Sequence, residues 1–449
     1  MRVTFKLFMI IVVMFLSLQI SYAQNVDTSW TRIYWNGYFD SVNCIQETFD
    51  SGFVMVGTSK AEGEVQHDIN LIKTDRDGEV AWSILIGEGD NAAGFHVIQT
   101  FDGGYLVSAQ SDNFSEPFDG RVWIVKTDAA GIVDWTFPLT QLDGNGFPYC
   151  AVQTSDTGFA ITGVINISYN NEAFILKLDK NGGYVWAQIY GDYGYEDGRF
   201  IAQMPDNGFI VAGHNDQVYT SGYDYRVFRT NAGGAVLWDS TYVLSDFYDE
   251  MNGACLVEDG LVLTGQVHAA GHVLKVDFSG NTVWSKSISQ YFTNEKNYSI
   301  TPTLDAGLMV GGWVWVTSHR RDHSFIKLDS DGDIIWVYTV GGSQDDHGRS
   351  VVATADGGYA MVGTSSSFVN GSSFYLTKII EYICGDANND GRVNISDAVF
   401  LINHIFRGGP APEPIQAGNV NCDESVNISD AVWMINHIFR GGSGPCECK

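Results

Sequence analysis

The chain has 449 residues, and its 53 acidic against 25 basic side chains give a formal net charge of -28. Phosphate binding is driven by lysine and arginine, so this balance excludes nucleic acid as a partner. Fifty glycines against nine prolines, with 13% aromatic residues, indicate many tight turns between β-strands rather than disorder.

Residues 1–23 begin with Arg2 and Lys6, run through an apolar stretch from Leu7 to Leu18, and end on the small residues Ser21 and Ala23. That is the pattern of a secretory signal peptide. No other stretch approaches the roughly 18 apolar residues of a membrane span, so an exported protein without a transmembrane segment is expected. Residues 24–380 then repeat. The segments KTDRDGEVAW, KTDAAGIVDW, KLDKNGGYVW, RTNAGGAVLW, KVDFSGNTVW and KLDSDGDIIW share Lys/Arg-x-Asp/Asn-x-x-Gly-x-x-x-Trp and end on Trp82, Trp135, Trp186, Trp238, Trp284 and Trp336. A second marker, Asp-(x)-Gly before an alternating apolar run, occurs seven times: DSGFVMVG, DGGYLVSA, DTGFAITG, DNGFIVAG, DGLVLTG, DAGLMVGG and DGGYAMVG. Asp or Asn opens a turn, Gly supplies positive φ, and alternation marks a strand with one buried face.

Each repeat therefore reads as four short strands, and seven such repeats of about 50 residues predict an all-β seven-bladed β-propeller with four-stranded blades. The seventh repeat lacks its own tryptophan strand, while SWTRIYWNG near the start has none of its own repeat around it. The N-terminal strand is expected to close the last blade. The marker resembles the tryptophan-docking repeat of quinoprotein-like propellers, although the spacing here is one residue shorter. That resemblance implies that the tryptophans pack between neighbouring blades; it carries no dehydrogenase activity, since no matching cofactor constellation is present. Cys44, Cys150 and Cys255 occupy one equivalent position in repeats one, three and five and read as buried, unpaired thiols.

Three features compete for a ligand surface on the propeller. YGDYGYEDG at 190–198 with SGYDYR at 221–226 gathers tyrosines and carboxylates, types that stack on and hydrogen-bond sugar rings, though turn packing explains them too. GWVWVTSHRRDHS at 312–324 puts Trp313 and Trp315 on one strand face and then His319, Arg320, Arg321, Asp322 and His323 in a loop. Asp40, Glu196, Glu295 and Asp346 recur ten positions before the second marker, reading either as an acidic rim or as turn caps. Gly-x-Ser-x-Gly, His-Glu-x-x-His and phosphate-cradling glycine loops are absent, so no catalytic residue is assigned.

Residues 384–449 change character. In DANNDGRVNISD, Asp386, Asn388, Asp390, Asn394 and Asp397 fall at positions 1, 3, 5, 9 and 12, with Gly391 at 6 and the Arg392 carbonyl at 7. These are calcium-loop positions: a hard cation needs several oxygens at about 2.3 to 2.6 Å, and Gly at 6 permits the sharp turn. The copy NVNCDESVNISD offers Asn419, Asn421, Asp423, Asn427 and Asp430 with the Ser425 carbonyl, but has Asn at position 1 and Glu424 in place of the glycine. Two calcium ions are expected, the second held more weakly. Each loop runs into an apolar-periodic helix, AVFLINHIFRGG or AVWMINHIFRGG, stopped by Gly-Gly.

A duplicated calcium loop and helix at the end of an exported chain resembles a type I dockerin, a small α-helical EF-hand-like domain. The resemblance implies that calcium is needed to fold and that the module docks onto a cohesin. Positions 10 and 11, which face the cohesin in that family, are Ile395 and Ser396, with Ile428 and Ser429 in the copy. Isoleucine departs from the family's small hydroxyl residue and favours a divergent cohesin or another envelope or secreted receptor. Cys384 lies at the module's start and Cys446 and Cys448 at its end, placed so that a bridge from Cys384 would clasp the termini. The expectation is a secreted or surface-associated, non-catalytic binding or scaffold protein, with a protein or polysaccharide as the propeller's ligand. The alternative is a polysaccharide-degrading glycoside hydrolase component.

Overall fold

A computed structural model describes residues 24–445 apart from 36–38, 62, 88–90, 113–119, 143, 168–169, 192–193, 217–221, 290–294, 318–319 and 424. The chain parts into one compact unit formed by Thr28–Ile380 and a second that includes Glu381–Lys449. The signal-peptide residues 1–23 and His319 lie outside the described residues.

The first unit is seven four-stranded sheets. Blade 1 runs from Phe39–Glu47 to Val80–Ile86, blade 2 from Ala92–Gln99 to Val133–Pro138, and blade 3 from Asn145–Gln153 to Tyr184–Tyr190. Blade 4 runs from Phe200–Gln203 to Val236–Tyr242, blade 5 from Asp249–Val257 to Thr282–Ser287, and blade 6 from Glu295–Pro302 to Ile334–Val340. Blade 7 takes three strands from Asp346–Ala353 to Ser373–Ile383, and its outermost fourth strand is Gln24–Tyr34. The expected closure by the N-terminal strand is therefore present. Inner strands of successive blades pack on one another, the last against the first, so the sheets form a closed ring.

Two sequence motifs explain why the blades look alike. The marker aspartate of each first hairpin pairs with a basic residue of the third strand, the one that begins the tryptophan motif in blades 1 to 6: Lys73 with Asp50, Lys126 with Asp102, Lys177 with Asp156, Arg229 with Asp206, Lys275 with Asp259, Lys327 with Asp305 and, in blade 7, Lys378 with Asp356. The motif's Asp/Asn position, from Asp75 to Asp329, accepts two main-chain N–H groups of the last hairpin at 2.8–3.0 Å. Its glycine has φ between 78° and 85° at Gly78, Gly131, Gly182, Gly234, Gly280 and Gly332. A Cβ there would meet the tryptophan of the preceding blade at 2.6–3.1 Å. The glycine is thus fixed twice, by backbone conformation and by the indole lying against it.

The hydrophobic core lies between blades. Val54, Val56, Ile69 and Leu71 of blade 1 pack with Val97, Tyr105, Val107 and Val125 of blade 2, and the same arrangement recurs around the ring. Each such side chain contributes about 1.5 to 3 kcal/mol when fully buried. Cys44, Cys150 and Cys255 sit in these layers as free, buried thiols, with burial pushing them up to about 11, about 12 and about 12 respectively. One expectation is corrected: Arg320, Arg321, Asp322 and His323 belong to the strand Arg320–Leu328 rather than to a loop, because the hairpin turns earlier and pairs Trp315 with Arg321 and Trp313 with His323.

The second unit holds helices α1 (Ile395–Arg407) and α2 (Ile428–Arg440), with a short 3-10 turn at Ile415–Gly418 between them. The helices pack through Ala398, Leu401, Ala431 and Met434, joined by Ala387 and Val420. Both end on a left-handed glycine, Gly408 and Gly441.

Candidate functional site

The two loops of the second unit are built alike. Asn394 caps α1 by accepting the Ser396 N–H, while the Asp397 carboxylate accepts the Asn394 N–H at 2.9 Å and the Asn388 N–H at 3.1 Å. Asn427 and Asp430 repeat this at α2, with Asp430 taking the Asn427 N–H at 2.9 Å and the Asn421 N–H at 3.3 Å. The capping box therefore welds each loop to the first turn of its helix. Position 4 is left-handed in both copies, at Asn389 and Cys422, and Gly391 at position 6 has φ +80°; Glu424 lies outside the described residues.

In the first loop the main-chain N–H groups of Asp390 and Gly391 donate to the two oxygens of Asp386 at 3.0 and 2.7 Å. Burial, then the neighbouring Asp390 charge, holds Asp386 above the ordinary carboxyl range. Burial together with the Asp386 and Asp390 charges pushes Asp397 up to about 6. Three mutually repelling carboxyls around one turn are a deficit that a divalent cation relieves, so the donor set fits calcium. Asn388 and the Arg392 carbonyl would complete it. Among the described residues no three His, Cys, Asp or Glu side chains form a metal cluster by themselves.

The second loop has two aspartates. Asp423 accepts the Ser425 N–H at 3.1 Å, the Asn421 side-chain amide bonds Asp423 at 3.0 Å, and Asn419 accepts the Asp423 N–H at 3.2 Å. Burial, then Asp423, raises Asp430. Cys384 and Cys422 are both disulfide-bonded, while Cys446 and Cys448 lie outside the described residues.

The helices also carry an apolar face that the sequence reading only began to trace. Ile395, Val399 and Phe406 are 43%, 50% and 64% exposed, and their counterparts Ile428, Val432 and Phe439 are 44%, 49% and 65% exposed. At about 100° per residue each set lies within about 40° on one side of its helix. Ser429 is exposed and Ser396 half-buried, and the Oγ of each takes a side-chain amide of its own loop, from Asn421 at 2.7 Å and from Asn388 at 2.8 Å. The missed signal was available as an identical i, i+4, i+11 spacing in the two copies.

On the propeller, the recurrent acids are not an exposed rim. Asp40, Glu196, Glu295 and Asp346 are all buried, as is Asp249 at the same place in blade 5. Asp249 accepts the Leu244 and Ser245 N–H groups at 2.9 Å, and Asp346 accepts the Gly342 N–H and the Ser367 hydroxyl, so these acids fasten the segments between blades. The tyrosine-rich stretches divide. Tyr190 is buried and donates to the Gly234 carbonyl of the next blade, whereas Tyr195, Tyr223 and Tyr248 run ring to ring at 5.1 and 5.3 Å. Buried Asp197 holds His214 at 3.1 Å and Arg199 at 2.9 Å; burial opposes its charge, but these partners hold its carboxyl well below the ordinary range. The pair has the look of the base half of a nucleophilic triad, yet Nε2 of His214 already accepts the Met251 N–H at 2.8 Å. Its role is structural.

Residues 384–439 match the family model for the dockerin type I domain, and residues 224–373 match a model described as outer membrane protein assembly factor BamB. No curated protein matches the chain. Among solved structures, the chain is similar to a protein of unknown function from Dyadobacter fermentans at 10% identity, covering 79% of this chain and 99% of that one with a TM-score of 0.48. It is also similar to the Pan2 WD40 domain of Neurospora crassa, at 10% identity over 79% and 95% with a TM-score of 0.48. The β-propeller domain of the trilobed protease from Pyrococcus furiosus follows at 9% identity over 76% and 94%, with a TM-score of 0.45. Dockerin modules occur in extracellular proteins, and type I dockerins bind calcium and a cohesin partner; no helix among the described residues is long and apolar enough to cross a membrane. The chain thus carries a seven-bladed β-propeller with quinoprotein-like repeats followed by a region that matches the type I dockerins.

Proposed function

We propose that this is an exported, non-catalytic binding protein whose propeller presents a ligand surface and whose C-terminal module, folded around calcium, tethers it to a cohesin-like protein. The observation that carries the reading is the paired apolar face: Ile395, Val399 and Phe406 on α1 match Ile428, Val432 and Phe439 on α2 to within one per cent in exposure. A small domain leaves such residues in water twice over when a partner covers them. Ser396 and Ser429 stand beside the two faces, and their equivalence supports docking through either helix. Two calcium ions are part of the proposal, the first on Asp386, Asn388, Asp390, Asn394, Asp397 and the Arg392 carbonyl. The second, on Asn419, Asn421, Asp423, Asn427, Asp430 and the Ser425 carbonyl, has one carboxylate fewer and binds more weakly.

The test is capture of the full chain on a panel of immobilised cohesin modules, in calcium and in excess chelator. Retention in calcium alone supports the tether; retention by none of them, or equally in chelator, removes it. Reducing-sugar release from a polysaccharide panel separates this reading from a glycoside hydrolase.

A further inference from the structure

Most cations of the propeller are held by carboxylates, as in Lys286 with Asp333 at 2.6 Å, Lys296 with Glu250 at 2.7 Å and Arg226 with Asp239 at 2.6 Å. Arg321 of blade 6 and Arg349 of blade 7 are different. Among the described residues neither guanidinium forms an ion pair, and the Nε atom of each lacks a hydrogen-bond partner. In a chain of net charge -28, two uncompensated guanidiniums in one neighbourhood stand out against the background field.

Aromatic rings surround both. The Arg321 guanidinium lies 4.4 Å from the Trp315 ring centroid and 4.9 Å from that of Trp313, and donates to Nε2 of His347 at 2.8 Å. Trp313 stacks on His347 at 5.7 Å with an interplanar angle of 28°. Irregular register in the inner strands of blades 6 and 7 falls at Tyr298 and Arg349, and the Arg349 guanidinium sits 4.5 Å over the Tyr298 ring. A bulge re-aims its side chain in this way. All six residues are half-buried, neither sealed in a core nor splayed into solvent. Asp345 is also near, but it accepts the Arg321 main-chain N–H at 3.0 Å and lies 3.7 Å from His347. Burial and the two guanidiniums hold His347 below its ordinary range, so the positive charge stays on the arginines.

The geometry points to a binding site for an acidic polysaccharide, with a uronate carboxylate on the Arg321 and Arg349 guanidiniums and sugar rings against Trp313 and Trp315. A guanidinium fork matches a carboxylate, and an indole face matches the C–H face of a pyranose. Two cations are far fewer than a polyphosphate needs against this net charge. The inference rests on the propeller being the ligand-bearing part and names the ligand class.

The test is affinity electrophoresis of the full chain through gels containing hyaluronan, polygalacturonate or glucuronoxylan, with hydroxyethyl cellulose and dextran sulfate as neutral and charge-only controls. At least one uronate polymer is expected to retard the chain, with apparent affinity at least tenfold weaker in R321A/R349A and W315A and partly kept in R349K. No retardation by any of the three, retardation unchanged in R321A/R349A, or equal retardation by dextran sulfate overturns the site. Melting temperatures of the variants verify folding, and cohesin capture of the same variants, expected unchanged, separates failure of this site from failure of the tether.

Discussion

The six-membered ring of Trp30 lies 2.8 Å from where a Cβ on Gly78 would stand. Trp30 belongs to the strand that completes blade 7, and Gly78 to the last hairpin of blade 1, so this contact, with the Tyr34 hydroxyl donating to the Gly78 carbonyl at 2.8 Å, locks the ring closed. Gly78→Ala is expected to cost about 2 to 3 kcal/mol, from left-handed strain plus collision with the indole. Trp30→Ala, at a half-buried site, is expected to cost about 2 kcal/mol. Deleting residues 24–34 should abolish the single cooperative transition; an unchanged melt by calorimetry would count against ring closure by this strand.

The Lys327 ammonium is almost wholly buried and is held at 2.6 Å by both Asp305 and the Thr303 hydroxyl. Asp305→Ala strands that cation, while Lys327→Met replaces it with an apolar chain of similar length. The first change is expected to destabilise by about 2 kcal/mol, less than for a fully buried pair because Asp305 faces solvent, and the second by less than the first. Denaturant melts of the two variants decide; the reverse order would sink the argument.

Asp397 titrates at about 6 when the loop holds no cation, above the roughly 3.9 of an unfolded chain. The native apo module then binds the extra proton, so its stability declines as pH rises from about 4 through 6. Calcium competes for the same carboxylate, and its affinity is expected to be about tenfold weaker at pH 5 than at pH 7. Calorimetric titration at the two values checks this; equal affinities would place the cation elsewhere.

Cys44, Cys150 and Cys255 are free, buried and raised in pKa, whereas Cys384 and Cys422 are oxidised. Cys44, Cys150 and Cys255 should resist a thiol reagent in the folded chain and react once it is denatured. Rapid native-state labelling at Cys44, Cys150 or Cys255, located by peptide mapping, would show that these layers are open.

Much of the architecture is legible because the repeat writes each contact several times. The lysine, the marker aspartate, the glycine and the tryptophan recur at fixed offsets, and each has one physical task in every blade. What escaped is what occurs once or crosses blades. Asp40 and Asp346 read equally as a rim or as turn caps because sequence gives recurrence but not depth, and both are buried. Arg321 lies in a strand rather than a loop, because the pairing of Thr317 with Arg320 makes the turn shorter than the run of polar residues implies. Arg349 and Tyr298 carry no motif at all; a register shift in their strands sets where they point. In the C-terminal unit the two helices were legible from their apolar periodicity and Gly-Gly stops, while the outward faces of α1 and α2 emerged only once burial separated Val399 and Phe406 from Leu401.

The most direct measurement of the central claim is calcium-dependent cohesin capture by V399D, V432D and the double variant V399D/V432D. Each single variant should still bind through the intact helix, and the double variant should lose capture while its calcium affinity stays near that of the parent chain. Capture by the double variant at parental strength, or by the parent in chelator, would contradict a tether built on these two faces.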